Sequence, residues 1–556
     1  MNKHNQLTRR AFLKTGAAAA AALPLGTHAR AAAPQSETEN SLPGSALRPT
    51  QYGPVRGAPA GAMLTWYGIP YAAAPVGELR WQAPAAPASW LFPRDCTVPG
   101  PAACQCGCLG TEDCLKLDIC APADAEDLPV LVWLHGGGNR SGSARELAGE
   151  DLAARGDCVF VGVEFRLGLM GFNCLPALCS GPEATGNFAL LDIARALDWV
   201  QENIRPFGGD PDSVTVCGFS AGGRDVLAML YSPLFAGRFH RAVALSGGMT
   251  CTEPETAAEQ IAAALAPLAV RDGRFSDPDA ARDWLLTDTE EVRGWLYSLD
   301  AQELSGLLQG AALRMDSFPH LYADGAALPR GGFAAAPAQS VPLLLVGSHD
   351  EFSLFAAREP ALSDSALADC TDAERRAARQ FAARYGSALY RAFTLQNTAG
   401  TLAAAGYAAP VYLCQVDYGS ADSRTPIPVL GAFHGVYLPL LSDRTACAAL
   451  ADLSGAGCQA MGQQLLGRLR SFLRTGDPNG AESAPFWPAW TPAAPLSLVL
   501  DADAQGAAAE CRDVTVPLKD LRSQMEQDPS LSPALRERVV DQVLRGRFFS
   551  GLLEQR

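Results

Sequence analysis

No stretch of this sequence carries the roughly 20 consecutive apolar residues that a bilayer-spanning helix needs. The nearest, at the N-terminus, is interrupted by Pro24 and Gly26, so stable membrane insertion is not expected. Positive charge is also short: 44 basic against 59 acidic residues leave a formal charge of -15. That balance makes nucleic acid and anionic membrane surfaces poor partners. Internal repeats are absent, and so are low-complexity linkers after residue 45, which argues against a solenoid or a string of tethered modules. What is present in quantity is material for a core. With 556 residues, 48% apolar and 19% charged, the chain can bury a large interior and has no bias toward disorder.

The first residues, "MNKHNQLTRRAFLKTGAAAAAALPLGTHARAAAPQ", join a basic start containing Arg9-Arg10 to a short Ala/Leu stretch. Ala29-Arg30-Ala31 then forms a small-x-small cleavage site. This pattern is that of a bacterial twin-arginine export signal over residues 1–31, read by the export machinery and removed. Residues 32–44 are then a flexible mature N-terminus, and the protein is expected in the periplasm or outside the cell. Cleavage removes Lys3, Arg9, Arg10, Lys14 and Arg30 and no acid, leaving the remainder more acidic still. All 16 cysteines lie beyond the signal, and an exported protein can keep disulfides. Cys96, Cys104, Cys106, Cys108, Cys114 and Cys120 crowd into "CTVPGPAACQCGCLGTEDCLKLDIC". The C-x-C-x-C spacing is not the C-x-x-C of zinc sites and no histidine lies near it, so disulfides are expected and a metal is not. Spacing does not fix their connectivity.

Short Val/Leu-rich runs recur at 129–134, 159–165, 213–219, 241–247, 342–348, 410–416 and 496–500. Runs apolar at nearly every position suit strands covered on both faces, as in a parallel sheet. Helical patterns alternate with them. In "NFALLDIARALDWVQENI", Leu190, Ile193, Leu197, Val200 and Ile204 form one apolar stripe. The predicted class is α/β with one dominant, mostly parallel sheet flanked by helices. Residues 253–335 carry helical patterns without a strand signal and read as an insertion over one end of the sheet, a pocket wall or lid. Residues 521–556 read as a C-terminal helical segment, whose end, "SPALRERVVDQVLRGRFFSGLLEQR", predicts an amphipathic helix with apolar Val539, Val540, Val543, Phe548 and Leu552, packed on the body of the same chain.

Gly218-Phe219-Ser220-Ala221-Gly222 is a G-x-S-x-G element at the end of one apolar run and the start of a helix bearing Val226, Leu227 and Leu230. That setting is what a nucleophile elbow requires, with the serine in a strained conformation and the glycines letting strand and helix cross closely. A serine hydroxyl needs a base within reach, itself oriented by a carboxylate. Five histidines follow the signal: His135, His240, His320, His349 and His434. Only His434, in "LGAFHGVYL", comes after an acidic strand end and lies in a loop, and the order serine, acid, histidine then gives Ser220, Glu351 or Asp350, and His434. The glycine-rich "LHGGGN" can aim bare backbone N–H groups at an oxyanion together with the N–H of Ala221. It has no following Lys-Ser/Thr, so it is not a phosphate loop.

Taken together the motifs "YGIPYAAAPVGELRW", "EDCLKLDI", "VWLHGGG", "FRLGLMGF", "GNFALLDIARALDWVQENIRPFGGDP", "GFSAGG", "VGSHDEFSLF", "GAFHG" and "FLRTGDPNG" resemble the type-B carboxylesterase family of α/β hydrolases. The resemblance spans residues 45–520. It implies an α/β-hydrolase fold and hydrolysis of small-molecule carboxylic esters without cofactor or metal, through an acyl-enzyme on Ser220 with His434 as base and Glu351, rather than Asp350, as acid. It further implies an oxyanion hole from Gly137, Gly138 and Ala221, and a disulfide between Cys96 and Cys114. Four departures stand out: Phe219 occupies the position of an acid; Phe352 replaces a glycine; Asn139, followed by Arg140, replaces an aromatic; and Arg224-Asp225 replace small residues, with Glu164 where an asparagine is usual. Phe219, Asn139 and Phe352 are therefore expected to line the substrate pocket, and Glu164 is expected to pair with Arg224 beneath it, since buried charges need partners. Loss of the acid before Ser220 argues for a neutral or aromatic ester over a cationic one. An amide or lactone hydrolase with the same residues, or a silent binding protein, are the competing expectations.

Overall fold

The computed structural model describes residues 46–554 apart from 106, 108, 180–183, 308–313 and 481–483. The export signal at 1–31, the mature N-terminus at 32–44, Cys106 and Cys108 thus lie outside the described residues. The frame is an eleven-stranded sheet. In chain order its strands are β1 (Ala58–Ala60), β2 (Met63–Pro70), β3 (Lys116–Pro122), β4 (Leu128–Leu134), β5 (Val159–Val163), β6 (Gly209–Phe219), β7 (Arg241–Leu245), β8 (Leu343–Ser348), β9 (Val411–Val416), β10 (Leu496–Ala502) and β11 (Ala507–Asp513). They lie side by side in the order β11-β10-β9-β8-β7-β6-β4-β5-β3-β2-β1. Strands β4 to β10 pair in parallel, while β1 to β3 and β11 close the two edges antiparallel. The seven Val/Leu runs are the seven parallel strands, because each has apolar residues for both faces. Val130, Val132 and Leu134 enter the core on one side of the sheet, and Leu131 and Trp133 enter the core on the other. Each such side chain contributes about 1.5–3 kcal/mol by leaving water.

Helix α1 (Phe188–Asn203) buries the predicted stripe of Leu190, Ile193, Leu197 and Val200. Helix α2 (Ala221–Tyr231) follows β6 without a loop. Between β7 and β8 come α3 (Pro254–Arg271), α4 (Pro278–Leu285), α5 (Glu290–Ser298) and α6 (Ala301–Gly306), so the insertion is helical in its first half. Its described remainder carries a 3-10 turn at Gly332–Ala334. Helix α7 (Asp372–Ala392) opens on a capping box in which Thr371 and Glu374 satisfy each other's backbone N–H. It forms a third core with Phe352 and the C-terminal segment.

Two expectations are corrected here. The C-terminal segment is not one helix: α8 (Pro533–Val539) passes into a π-helical turn at Val540–Leu544, and the chain leaves it at Arg545, which is extended, ahead of Gly546, whose φ is +72°. A Cβ on Gly546 would lie 2.2 Å from Asp316 Oδ2, so only glycine fits where the chain passes the insertion. Its apolar residues nevertheless pack on the same chain, with Val539, Val543, Phe548 and Leu552 buried. Second, Cys96 and Cys114 are both free thiols, as are Cys104 and Cys120. The two sit in different surroundings. Cys96 exchanges backbone hydrogen bonds with Arg56 and Tyr67 near Arg94, Asp95 and Asp118, whereas Cys114 is buried near Asp192, Glu164, Arg166 and Cys104.

Candidate active site

The functional side chains converge on the C-terminal ends of the parallel strands, where an open α/β sheet forms its crevice. Ser220 caps α2 with φ 55° and ψ -109°, a conformation costing of order 1–3 kcal/mol that the surrounding packing must hold. Crowding explains the glycines around it: a Cβ on Gly218 would lie 2.2 Å from the Gly222 carbonyl, and one on Gly222 2.2 Å from the Leu134 carbonyl. Ser220 N donates to Leu245 O at 2.7 Å, tying the turn to β7. The next strand end has the same device, since Ser246 also adopts a positive φ of 49°.

His434 and Glu351 meet from two separate loops. His434 Nδ1 lies 2.5 Å from Glu351 Oε2. The other carboxylate oxygen accepts from the Ser348 backbone N–H at 2.8 Å and from the Ser246 hydroxyl. Glu351 is 0% exposed, so these donors replace the water it has lost. Asp350 is turned elsewhere, bonded to His349 and to Ala432 N, which separates the two acids that motif order alone leaves open. The imidazole of His434 is held among three rings, with centroids 4.8 Å from Phe219, 5.0 Å from Phe355 and 5.5 Å from Tyr390. Tyr390 donates to Ser246 O at 3.1 Å and lies against the Ser220 hydroxyl. No hydrogen bond joins Ser220 Oγ to His434 Nε2 here; bonds of this kind often tighten only with substrate.

The glycine turn after β4 faces the same point. Gly137 and Gly138 have φ values of 107° and 69°, and a Cβ on Gly137 would lie 1.9 Å from Ser141 O. The backbone N–H groups of Gly137, Gly138 and Ala221 donate to no protein acceptor among the described residues. The turn is fixed from behind: Gly136 N donates to Glu146 Oε2 at 2.9 Å, and Asn139 O accepts from Gly168 N at 2.7 Å. Glu146 is partly buried beside Phe219, and loss of hydration pushes its carboxyl up to about 7. His135, at the head of the turn, is stacked on Phe165 and buried, which lowers its imidazole to about 4.

The pocket residues divide. Phe219 lies against His434, with ring centroids 4.8 Å apart. Asn139 does not face the oxyanion turn: its amide donates to Asp225 Oδ1 at 2.8 Å, and burial raises Asp225 to about 7. Phe352 is wholly buried against Phe549 and Phe355, so it reaches His434 only through Phe355. The expected pairing of Glu164 with Arg224 is not formed. Glu164 accepts from Ser143 Oγ and Ala144 N and has Arg145 3.9 Å away, while Arg224 points to the other side, over Phe548 and toward Met315. Ser246, Tyr390, Glu146 and Tyr437, whose hydroxyl lies 2.6 Å from Ser246 Oγ, carry no motif that singles them out in the sequence. Only Ser246 has a local signal, a serine followed by two glycines at a strand end.

Comparison with known proteins agrees with this geometry. A family model described as "Carboxylesterase family" matches residues 45–388. The chain is 30% identical over 486 residues to the para-nitrobenzyl esterase of Bacillus subtilis, covering 82% of this chain and 94% of that one. Among solved structures, a carboxylesterase of Geobacillus stearothermophilus superposes with a TM-score of 0.66 at 30% identity, over 86% of this chain and 99% of that one. A thermophilic pNB esterase superposes with a TM-score of 0.67 at 25% identity, over 89% and 100% of the two chains. The α/β-hydrolase sheet, the serine turn at its strand ends and these likenesses agree: the chain belongs to the carboxylesterase family and is a carboxylic ester hydrolase.

Proposed function

We propose that Ser220, His434 and Glu351 are the residues that carry the hydrolysis, by two-step acyl transfer. His434 Nε2 takes the proton of Ser220 Oγ as it attacks the ester carbonyl. The oxyanion is held by the N–H groups of Gly137, Gly138 and Ala221, and collapse expels the alcohol, to which His434 returns the proton. Water then attacks the acyl-enzyme with the same histidine as base. Glu351 orients His434 and stabilises its cation. The observation that carries this reading is the hydrogen-bonded Glu351–His434 pair at 2.5 Å beside a strained serine and three backbone donors without acceptors. A panel of 4-nitrophenyl esters of increasing acyl length tests it: hydrolysis that disappears in S220A and H434A supports the assignment, and activity retained in either variant overturns it. We infer further, from Arg9-Arg10 and the following Ala/Leu stretch, that the chain is exported through the twin-arginine route. Replacing both arginines with lysine is expected to hold the protein in the cytoplasm, as measured by fractionation.

A further inference from the structure

Arg224 has no ordinary structural explanation. It lies four residues beyond Ser220 on α2, one helical turn away on the same face, with its N–H donating to Ser220 O at 3.1 Å. The residue is 2% exposed, yet among the described residues no carboxylate lies within ion-pair distance of it. Its nearest partners are soft ones: Met315 Sδ at 3.9 Å from Nη1 and the Phe548 ring at 5.1 Å. The neighbouring acid, Asp225, acts on Arg224 through space but bonds Asn139 through Oδ1, and burial pushes its carboxyl up to about 7, so it is a weak counter-ion; Glu164 is bonded to Ser143 and Ala144 instead. A buried guanidinium that no carboxylate bonds directly is disfavoured until a ligand supplies one. The cationic character of this wall is increased by Arg140. Burial first, and then the charges of Arg224 and Arg140, hold the His320 imidazole well below its usual range, and among the described residues its buried Nε2 has no hydrogen-bond partner. The wall adjoins the reacting serine, because the charge of Arg224 reaches Tyr390, whose hydroxyl lies against Ser220, and Phe548 packs on Tyr390 with ring centroids 4.8 Å apart.

We propose that Arg224 is an anion-binding residue of the substrate pocket, and that the preferred substrate is an ester bearing a carboxylate, which supplies the counter-ion that the protein withholds. This rests on the reading of Ser220 as nucleophile. It replaces the expectation of a neutral ester with a specific charged class. A planar guanidinium takes a carboxylate through paired hydrogen bonds. Loss of such a charge-assisted contact reduces binding by about 10- to 100-fold.

The test uses matched pairs. Monoethyl succinate, glutarate and adipate carry the charge on the acyl side and are compared with ethyl butyrate, pentanoate and hexanoate. 4-Butyryloxybenzoate carries it on the alcohol side and is compared with phenyl butyrate. In at least one pair the wild type is expected to favour the carboxylate member by about 10-fold or more in kcat/KM, mainly through KM. That ratio is expected to fall to within about 3-fold in R224Q and to return in part in R224K. A preference that survives R224Q, or hydrolysis of neutral esters with no preference in any pair, overturns the anion site alone. Hydrolysis of no ester, with no organophosphate labelling of Ser220, overturns the nucleophile assignment and this proposal with it. Should R224Q not fold, the wild type decides: glutarate, and not glutaramide, is expected to protect Ser220 from organophosphate labelling, and equal effects of the two overturn the proposal.

Discussion

The floor and the wall of the site are built on different principles. The floor, formed by Ser220, Ser246, Glu351 and the turn at Gly137 and Gly138, sits at strand ends, where backbone conformation decides which residues fit. Positive φ at Ser220 and Ser246, and contacts of 1.9–2.2 Å awaiting any Cβ on Gly137, Gly218 or Gly222, leave almost no freedom of sequence. The wall is made of Arg224 on α2, Tyr390 on α7, Phe393 just after α7, and Phe548 in the C-terminal segment, whose rings and guanidinium meet one another. Many sequences can pack such a wall. Removing a reactive side chain from the floor should therefore cost activity and spare stability, adding a Cβ to one of its glycines should cost both, and truncating a ring of the wall should cost mainly stability.

The largest test of that contrast is S220A, expected to lower kcat by at least about 10⁴-fold while shifting the unfolding free energy by less than about 1 kcal/mol. A parallel loss of stability would break the contrast. Next, G137A forces a Cβ onto the Ser141 carbonyl and displaces an oxyanion donor, which should reduce kcat by about 10²–10³-fold with KM little changed. In the wall, F548A removes a ring from between Tyr390, Phe393 and Arg224 and should destabilise by about 3 kcal/mol in urea unfolding, with a proportionally smaller loss of kcat.

The smallest effect sharpens the boundary between the two regions, at Glu146. Its carboxyl stays protonated in the folded protein up to about pH 7, against an ordinary value of 4.5. The unfolded chain therefore releases the proton first as pH rises. The folded state is favoured at low pH, and that advantage is lost between about pH 4.5 and 7. Glutamine keeps an oxygen to accept from Gly136 N and cannot ionise. E146Q is accordingly expected to gain about 1–2 kcal/mol relative to wild type between pH 4.5 and 8; parallel stability curves for the two proteins would contradict this.

The same contrast explains what could be read in the sequence. Runs such as "PVLVWL" announce buried parallel strands because both faces must be apolar, and G-x-S-x-G between a strand and a helix announces the elbow because only glycine fits its flanks. His434 followed from its position after an acidic strand end. The wall was opaque: nothing near position 224 tells that its partners are Met315 and Phe548, which lie far along the chain. Phe352, Asn139 and Glu164 were misjudged for the same reason, since a substitution beside a motif does not tell which way the new side chain turns. Gly546 is glycine because a Cβ there would meet Asp316 Oδ2 at 2.2 Å, a tertiary cause with no local pattern. The free thiols at Cys96 and Cys114 show that a matching pair of positions does not guarantee a shared environment.

The central claim is that Ser220 is the nucleophile, activated by the Glu351–His434 pair. It is tested most directly by treating the folded protein with an organophosphate and mapping the adduct by mass spectrometry. A single adduct on Ser220, with loss of esterase activity in step with labelling and none in H434A, is the predicted result. An adduct on another serine, or full inactivation with Ser220 unmodified, would contradict it.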